Sequence, residues 1–131
     1  MGQYFTIEEL CASDTATRKG IDNTPTPEIR QNMEMLIDRI LDPLRTAWKR
    51  PVHVTSGYRC PRLNRAVGGV RNSNHLKGLA ADIRATGRNI VDTANNRRLF
   101  ELIKRINLPY KELIWEKGGS WIHVSLDTSK L

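Results

Sequence analysis

The sequence predicts an α+β fold: a small, largely antiparallel sheet backed by two main helices, in one domain taking in residues 1–131. Three observations carry that expectation. Apolar residues recur at helical spacing in two long segments. Four short runs read as strands, the last two flanking a glycine pair. Helices and strands do not alternate as regular βαβ units. At 131 residues there is no room for two full cores.

In chain order, Thr6-Ile7-Glu8-Glu9-Leu10 has capping-box spacing, with Glu9 three residues after Thr6, and predicts a short helical turn. Residues 15–26 are polar, rich in turn formers, and expected to wrap the surface. Pro27 follows Thr26 as a helix-starting proline after a capping threonine, with Glu28 in the first turn. Ile29, Met33, Leu36, Ile37, Ile40, Leu41 and Leu44 follow at helical spacing, and Pro43 is expected to kink the last turn. Val52-His53-Val54-Thr55 alternates and is β-branched; Ala80-Ala81-Asp82-Ile83 is a weaker strand. A second amphipathic helix is expected over 90–106, with Ile90, Val91, Ala94, Leu99, Leu102, Ile103 and Ile106 broadly on one side. Leu113-Ile114-Trp115-Glu116 and Trp121-Ile122-His123-Val124-Ser125 flank Lys117-Gly118-Gly119-Ser120, a glycine-centred hairpin signal. Symmetry about the glycine pair sets Glu116 opposite Trp121 and Ile114 opposite His123, all on one face.

Lys and Arg number 21 against 14 Asp and Glu, a formal net charge of +7. The excess is uneven. Residues 45–81 hold Arg45, Lys49, Arg50, Arg59, Arg62, Arg65, Arg71 and Lys77 and no acidic residue. That stretch carries a positive field suited to nucleic acid, a wall polymer or a peptide carboxylate. With 39% hydrophobic and 27% charged residues, the chain reads as soluble and globular rather than disordered. No apolar run approaches the roughly 18 residues that a membrane-spanning helix needs. The N-terminus shows neither the basic nor the apolar region of a secretory leader, and Gly2 with Thr6 matches only the loose myristoylation pattern. Cys11 and Cys60 permit one disulfide at most and read as free thiols.

His53, between two valines on an expected strand, reads as a structural, hydrogen-bonded histidine. His75 lies in Ser73-Asn74-His75-Leu76-Lys77-Gly78-Leu79-Ala80-Ala81-Asp82, a glycine-interrupted loop entering the weak strand. Gly68, Gly69 and Gly78 argue against a helix, and a loop-then-strand path can bring His75 and Asp82 to one point. His123 shares a strand face with Trp121 and Ser125, while Ile122 and Val124 face the core. Two histidines and one carboxylate are the complement of a catalytic zinc, whose fourth position is left to a water of lowered pKa. From spacing alone, such a trio also arises by chance.

Ser73-x-His75-x-x-Gly78-x-Ala80-x-Asp82, followed downstream by Trp121-Ile122-His123-Val124-Ser125, resembles the zinc peptidases of family M15. That family comprises D-alanyl-D-alanine carboxypeptidases and L-alanyl-D-glutamate endopeptidases of phage lysins, with a metal site related to lysostaphin-type peptidases and the hedgehog domain. Ser56-Gly57-Tyr58-Arg59, Leu63-Asn64 and Gly68-Gly69 resemble the family's lead-in to the first ligand. The similarity runs from Phe5 to Ser125. It implies His75, Asp82 and His123 as ligands of one zinc per chain. It also implies Arg59 as the group holding the substrate carbonyl and its developing oxyanion, catalytic and substrate-binding at once. Ser73 either braces its loop or binds substrate, and Trp121 is expected to wall the cleft. Lys77 and Arg71 either meet anionic substrate groups or are solvated loop charges.

Many family members carry an acid three residues before the last histidine or a histidine two before it. Here Ser120 and Trp121 stand at those places. Glu116, a diagonal neighbour of His123 in the expected hairpin, is the substitute base, with Glu112 second. The expected activity is zinc-dependent hydrolysis of peptidoglycan stem peptides, as carboxypeptidase or endopeptidase, by a monomer that is expected neither to bind nucleic acid nor to insert into a membrane. The lack of a leader pattern is expected either for a lysin released by a helper or for a chain already trimmed of one. A zinc-containing wall-binding module without catalysis is the alternative, and a nucleic-acid-binding protein a weaker one, since the basic stretch has only Trp48 and Tyr58 as aromatics.

Overall fold

In the computed structural model, residues 3–87 and 90–131 are described, and the Gly2 acylation pattern lies outside them. The chain opens with α1 (Ile7–Cys11), whose cap Thr6 accepts the Glu9 N–H as the capping-box spacing predicts. A second short helix, α2 (Asp14–Lys19), follows within the segment expected to be irregular. Ser13 caps its start, left-handed Gly20 ends it, and Ala16 and Ile21 pack on Leu63 in a small satellite core. Six residues with so little apolar periodicity leave only these caps as a signal.

The main helix runs through α3 (Pro27–Leu36), a π-helical turn (Ile37–Leu41) and α4 (Asp42–Trp48). The wide turn accounts for Pro43. A proline within a helix lacks the N–H and crowds the carbonyl four residues back, and here the preceding turn is opened to a five-residue bond, Asp42 N–H to Ile37 O. Met33, Leu36, Ile37, Ile40, Leu41 and Leu44, on this helix, are all buried in the main core.

The sheet is four antiparallel strands in the order β1-β2-β4-β3: β1 (His53–Ser56), β2 (Ala80–Arg84), β3 (Tyr110–Glu116) and β4 (Trp121–Leu126). The β3–β4 hairpin has the expected register, Glu116 opposite Trp121 and Ile114 opposite His123. Strand alternation divides the two faces. Ala81, Ile83, Ile122, Val124 and Leu126 turn inward with the helices, each large side chain stabilising by roughly 1.5–3 kcal/mol. Asp82 and His123, paired across β2 and β4, lie on the other face. One side of the sheet is core, and the other is free for chemistry.

Two further helices differ from expectation. α5 (Pro61–Ala66) starts after Cys60, whose thiol accepts the Leu63 N–H. α6 (Thr93–Arg105) begins later than the apolar pattern suggests, because Asp92 caps it by accepting the Asn95 N–H at 3.0 Å. Ile90 and Val91 therefore precede the helix and are exposed, at 61% and 53%, rather than on its buried face.

The fully buried Asn96 joins three elements: its Oδ1 accepts the Ala85 N–H at 2.8 Å, and its Nδ2 donates to Gly119 O at 2.7 Å. Asn96→Ala strands both backbone groups. It is expected to lower stability by about 2–4 kcal/mol in urea unfolding, against about 0.5 kcal/mol for an exposed-site change.

Candidate metal centre and its cleft

The first element of the site is a single turn of 3-10 helix, Asn74–Lys77. Ser73 caps it, its Oγ accepting the His75 N–H at 3.1 Å. Left-handed Gly78 (φ +72°) closes it, and a Cβ there would run into Met33 and Ile29 of the main helix. The turn is thus seated directly on α3, and Asn32 holds it with a 2.9 Å bond to Lys77 O. His75 donates from Nδ1 to Gly57 O at 2.7 Å, which turns Nε2 toward Asp82.

Asp82 on β2 stands between the two rings. Its Oδ1 is 3.3 Å from His75 Nε2 and 3.1 Å from His123 Nδ1. One ligand atom from each of the three residues lies within 4.8 Å of the others, and all three residues are buried. A tetrahedral zinc with bonds of about 2.0–2.1 Å has ligand–ligand edges of roughly 3.3 Å, and the two separations from Asp82 Oδ1 approach that length. The donor set fits a divalent metal on chemistry as well: two imidazole nitrogens and one carboxylate, with the outer nitrogen of each ring bonded elsewhere. Burial works against a charged Asp82. The hydrogen bonds from His123 and His75 and the charge of both rings outweigh it and hold its pKa at about 2. Burial also opposes a charged His123, yet its bonds to Asp82 and Glu112 raise its pKa.

Arg59 reaches the same carboxylate from the loop after β1. Backbone bonds hold that loop on both sides: Tyr58 N–H to Leu10 O at 2.8 Å and Arg59 N–H to His75 O at 3.1 Å. The guanidinium is clamped. Nε donates to Ser56 Oγ at 3.1 Å, Nη1 to Asn64 Oδ1 at 3.0 Å, and Nη2 to Asp82 Oδ2 at 3.5 Å. A side chain at Gly69 would collide with both Asn64 and Arg59, so the clamp requires glycine there. Burial lowers the Arg59 pKa and Asp82 partly offsets this, but a guanidinium stays charged.

On β3 the face toward the site carries Glu112, Ile114 and Glu116. With Ile114 opposite His123, the two glutamates are its two diagonal neighbours. Glu112 Oε1 accepts from His123 Nε2 at 2.9 Å and from Asn74 Nδ2 at 2.9 Å. Partial burial opposes its charge, and the bonds from His123, Asn74 and Ser125 bring its pKa to about 2. Glu116 is half-buried, its backbone carbonyl accepts the Ser120 N–H at 3.1 Å, and its side chain forms no hydrogen bond or ion pair among the described residues. Arg59, His75, Asp82 and His123 lie in one cleft of about 870 Å³, walled by Trp121, Ile114 and Ser73 and rimmed by Lys77, Lys111 and Lys117.

His53 is outside the ligand group, on β1 opposite Arg84. Trp115 is on the core side, edge-to-face with Phe100 at 5.5 Å between centroids. Arg71 is exposed. Asn64, Asn74 and the Gly57 carbonyl take part in the site without having been singled out. Asn64 and Gly57 sit in the segments that carry the family resemblance, but neither segment reveals which atom each would hold.

A buried His-Asp-His cluster that could hold a metal ion lies at the floor of an open cleft, with a fixed guanidinium on its carboxylate, on an α+β scaffold. The family model for Peptidase M15 matches residues 3–125, and the chain belongs to that family of metal-dependent peptidases. No curated protein gives a significant match. Among the described residues no helix is long and apolar enough to cross a membrane.

Proposed function

We propose that this protein is a zinc peptidase, with one zinc per chain, that hydrolyses peptide bonds in peptidoglycan stem peptides. The observation that carries the reading is the convergence of His75, Asp82 and His123 beneath a cleft wide enough for a peptide. These three residues would hold the metal. Zinc in such a site supplies Lewis acidity and a nucleophilic water near neutral pH. Arg59 donates to the substrate carbonyl and to the negative charge that develops on its oxygen, from a position already fixed by Ser56 and Asn64. Glu116 accepts a proton from the attacking water as its oxygen bonds to the carbonyl carbon. The same proton passes to the amine nitrogen as the C–N bond breaks. Trp121 walls the bound peptide, and Ser73 lines the cleft beside it while capping the turn that carries His75. The chain acts as a monomer, and its positive charge favours an anionic wall.

Digestion of purified peptidoglycan by the zinc-loaded protein, with the new termini identified by mass spectrometry, tests this reading. Loss of a terminal residue marks a carboxypeptidase, and internal cleavage an endopeptidase. No release by protein of full zinc content would overturn it and leave a zinc-bearing binding module.

Arg59→Lys separates an oxyanion donor from a surface cation. One ammonium cannot reproduce the planar fork that spans Ser56, Asn64 and a substrate oxygen from separate nitrogens, so kcat/KM should fall on the order of 100-fold while zinc content stays near one. Unchanged turnover would make Arg59 merely a partner of Asp82.

A further inference from the structure

We propose that Glu112, held by Asn74, is a positioning residue that fixes the His123 ring with Nδ1 toward Asp82 and Nε2–H toward Glu112. The inference rests on reading His123 as a metal ligand and adds the residue that decides which nitrogen it offers. An imidazole on a strand has two broad, nearly equivalent ring orientations, and packing alone does not choose between them. Here the choice is made by acceptors at both ends, Asp82 Oδ1 at 3.1 Å from Nδ1 and Glu112 Oε1 at 2.9 Å from Nε2. When Nδ1 gives its lone pair to a metal, its proton leaves, and only Glu112 then remains to hold the ring by its other nitrogen.

Glu112 is itself placed from two directions. Its backbone N–H donates to Ser125 Oγ at 3.0 Å, just past the irregularity in β3 between Tyr110 and Glu112. Its Oε1 also takes the 2.9 Å bond from Asn74 Nδ2. Asn74 shares a single turn with His75, so Asn74–Glu112–His123 ties the turn carrying one ligand to the ring of another. This engagement distinguishes Glu112 from Glu116, the other diagonal neighbour, and gives the two carboxylates different tasks.

Zinc affinity, measured by competition with a chromophoric chelator, is the test, with the melting temperature of the metal-free chain alongside. Glu112→Ala should bind zinc about 10- to 100-fold more weakly, with some fall in the metal-free melting temperature from the lost bonds to His123 and Asn74. Glu112→Gln keeps an oxygen that can accept from Nε2–H and should recover most of that loss, while Asn74→Ala should weaken zinc by a smaller factor. A purely structural role would lower the melting temperature and leave affinity alone. Glu112→Ala binding zinc within about twofold of the parent overturns the proposal. Should Glu112→Ala fail to fold, ring-nitrogen NMR of the zinc-loaded parent still decides, since a His123 proton on Nδ1 rather than Nε2 overturns it. His123→Ala is the control for the underlying reading: full zinc affinity in that variant would remove His123 as a ligand, a different failure from an inert Glu112.

Discussion

Alanine at His75, Asp82 or His123 is expected to remove bound zinc almost completely. The site offers three protein donors, and loss of one leaves two, too few to hold the ion against water. If a structural zinc site is worth about 10–16 kcal/mol across four ligands, one ligand carries roughly 3 kcal/mol, or more than 100-fold in affinity. Asp82→Ala should be the most severe, because both rings and the Arg59 guanidinium share its carboxylate, and its removal leaves His75 and Arg59 without that counter-charge. His53→Ala should keep its zinc, since His53 stands on β1 outside the ligand group. Metal analysis of the four purified variants is the check. Stoichiometric zinc in all three ligand variants would refute the assignment, and zinc lost from His53→Ala would show that metal loss reports unfolding rather than ligation.

Much of this site was legible because its placement is set by short-range rules. A strand alternates, so His123 and Trp121 share a face opposite Ile122; a hairpin centred on two glycines has one symmetric register, so Glu116 and Ile114 fall beside them. The path from His75 to Asp82 was readable as a loop because Gly78 ends the turn where only a left-handed residue fits. The rest depends on partners distant in sequence. Asn96 acts on residues 11 and 23 positions away, and Asn74 on one 38 away. An asparagine in a helix or a turn carries no mark of such a partner. Local capping also defeated the apolar pattern in places. Asp92 starts α6 beyond Ile90 and Val91, and Ser13 and Gly20 make a helix of a segment whose composition reads as coil.

Glu116→Gln should keep its zinc and lose about 100-fold or more in kcat. The exchange is nearly isosteric, so the hairpin register and the packing beside Trp121 should persist. What disappears is the proton acceptor. A peptide bond opened by water needs a group that takes a proton from the nucleophile and delivers it to the leaving amine. The places where the family often carries that group hold Ser120 and Trp121 here. Glu112, the only other carboxylate diagonal to His123, is already bonded to the ring and to Asn74, whereas Glu116 faces the cleft without such a bond among the described residues. The two glutamine variants should therefore part company. Glu116→Gln leaves zinc affinity intact and abolishes most turnover, while Glu112→Gln keeps both within a small factor. Single-turnover cleavage of a defined stem peptide, with zinc content measured on the same samples, reads both quantities. An active Glu116→Gln together with an inactive, zinc-replete Glu112→Gln would reverse the two roles and make Glu112 the base.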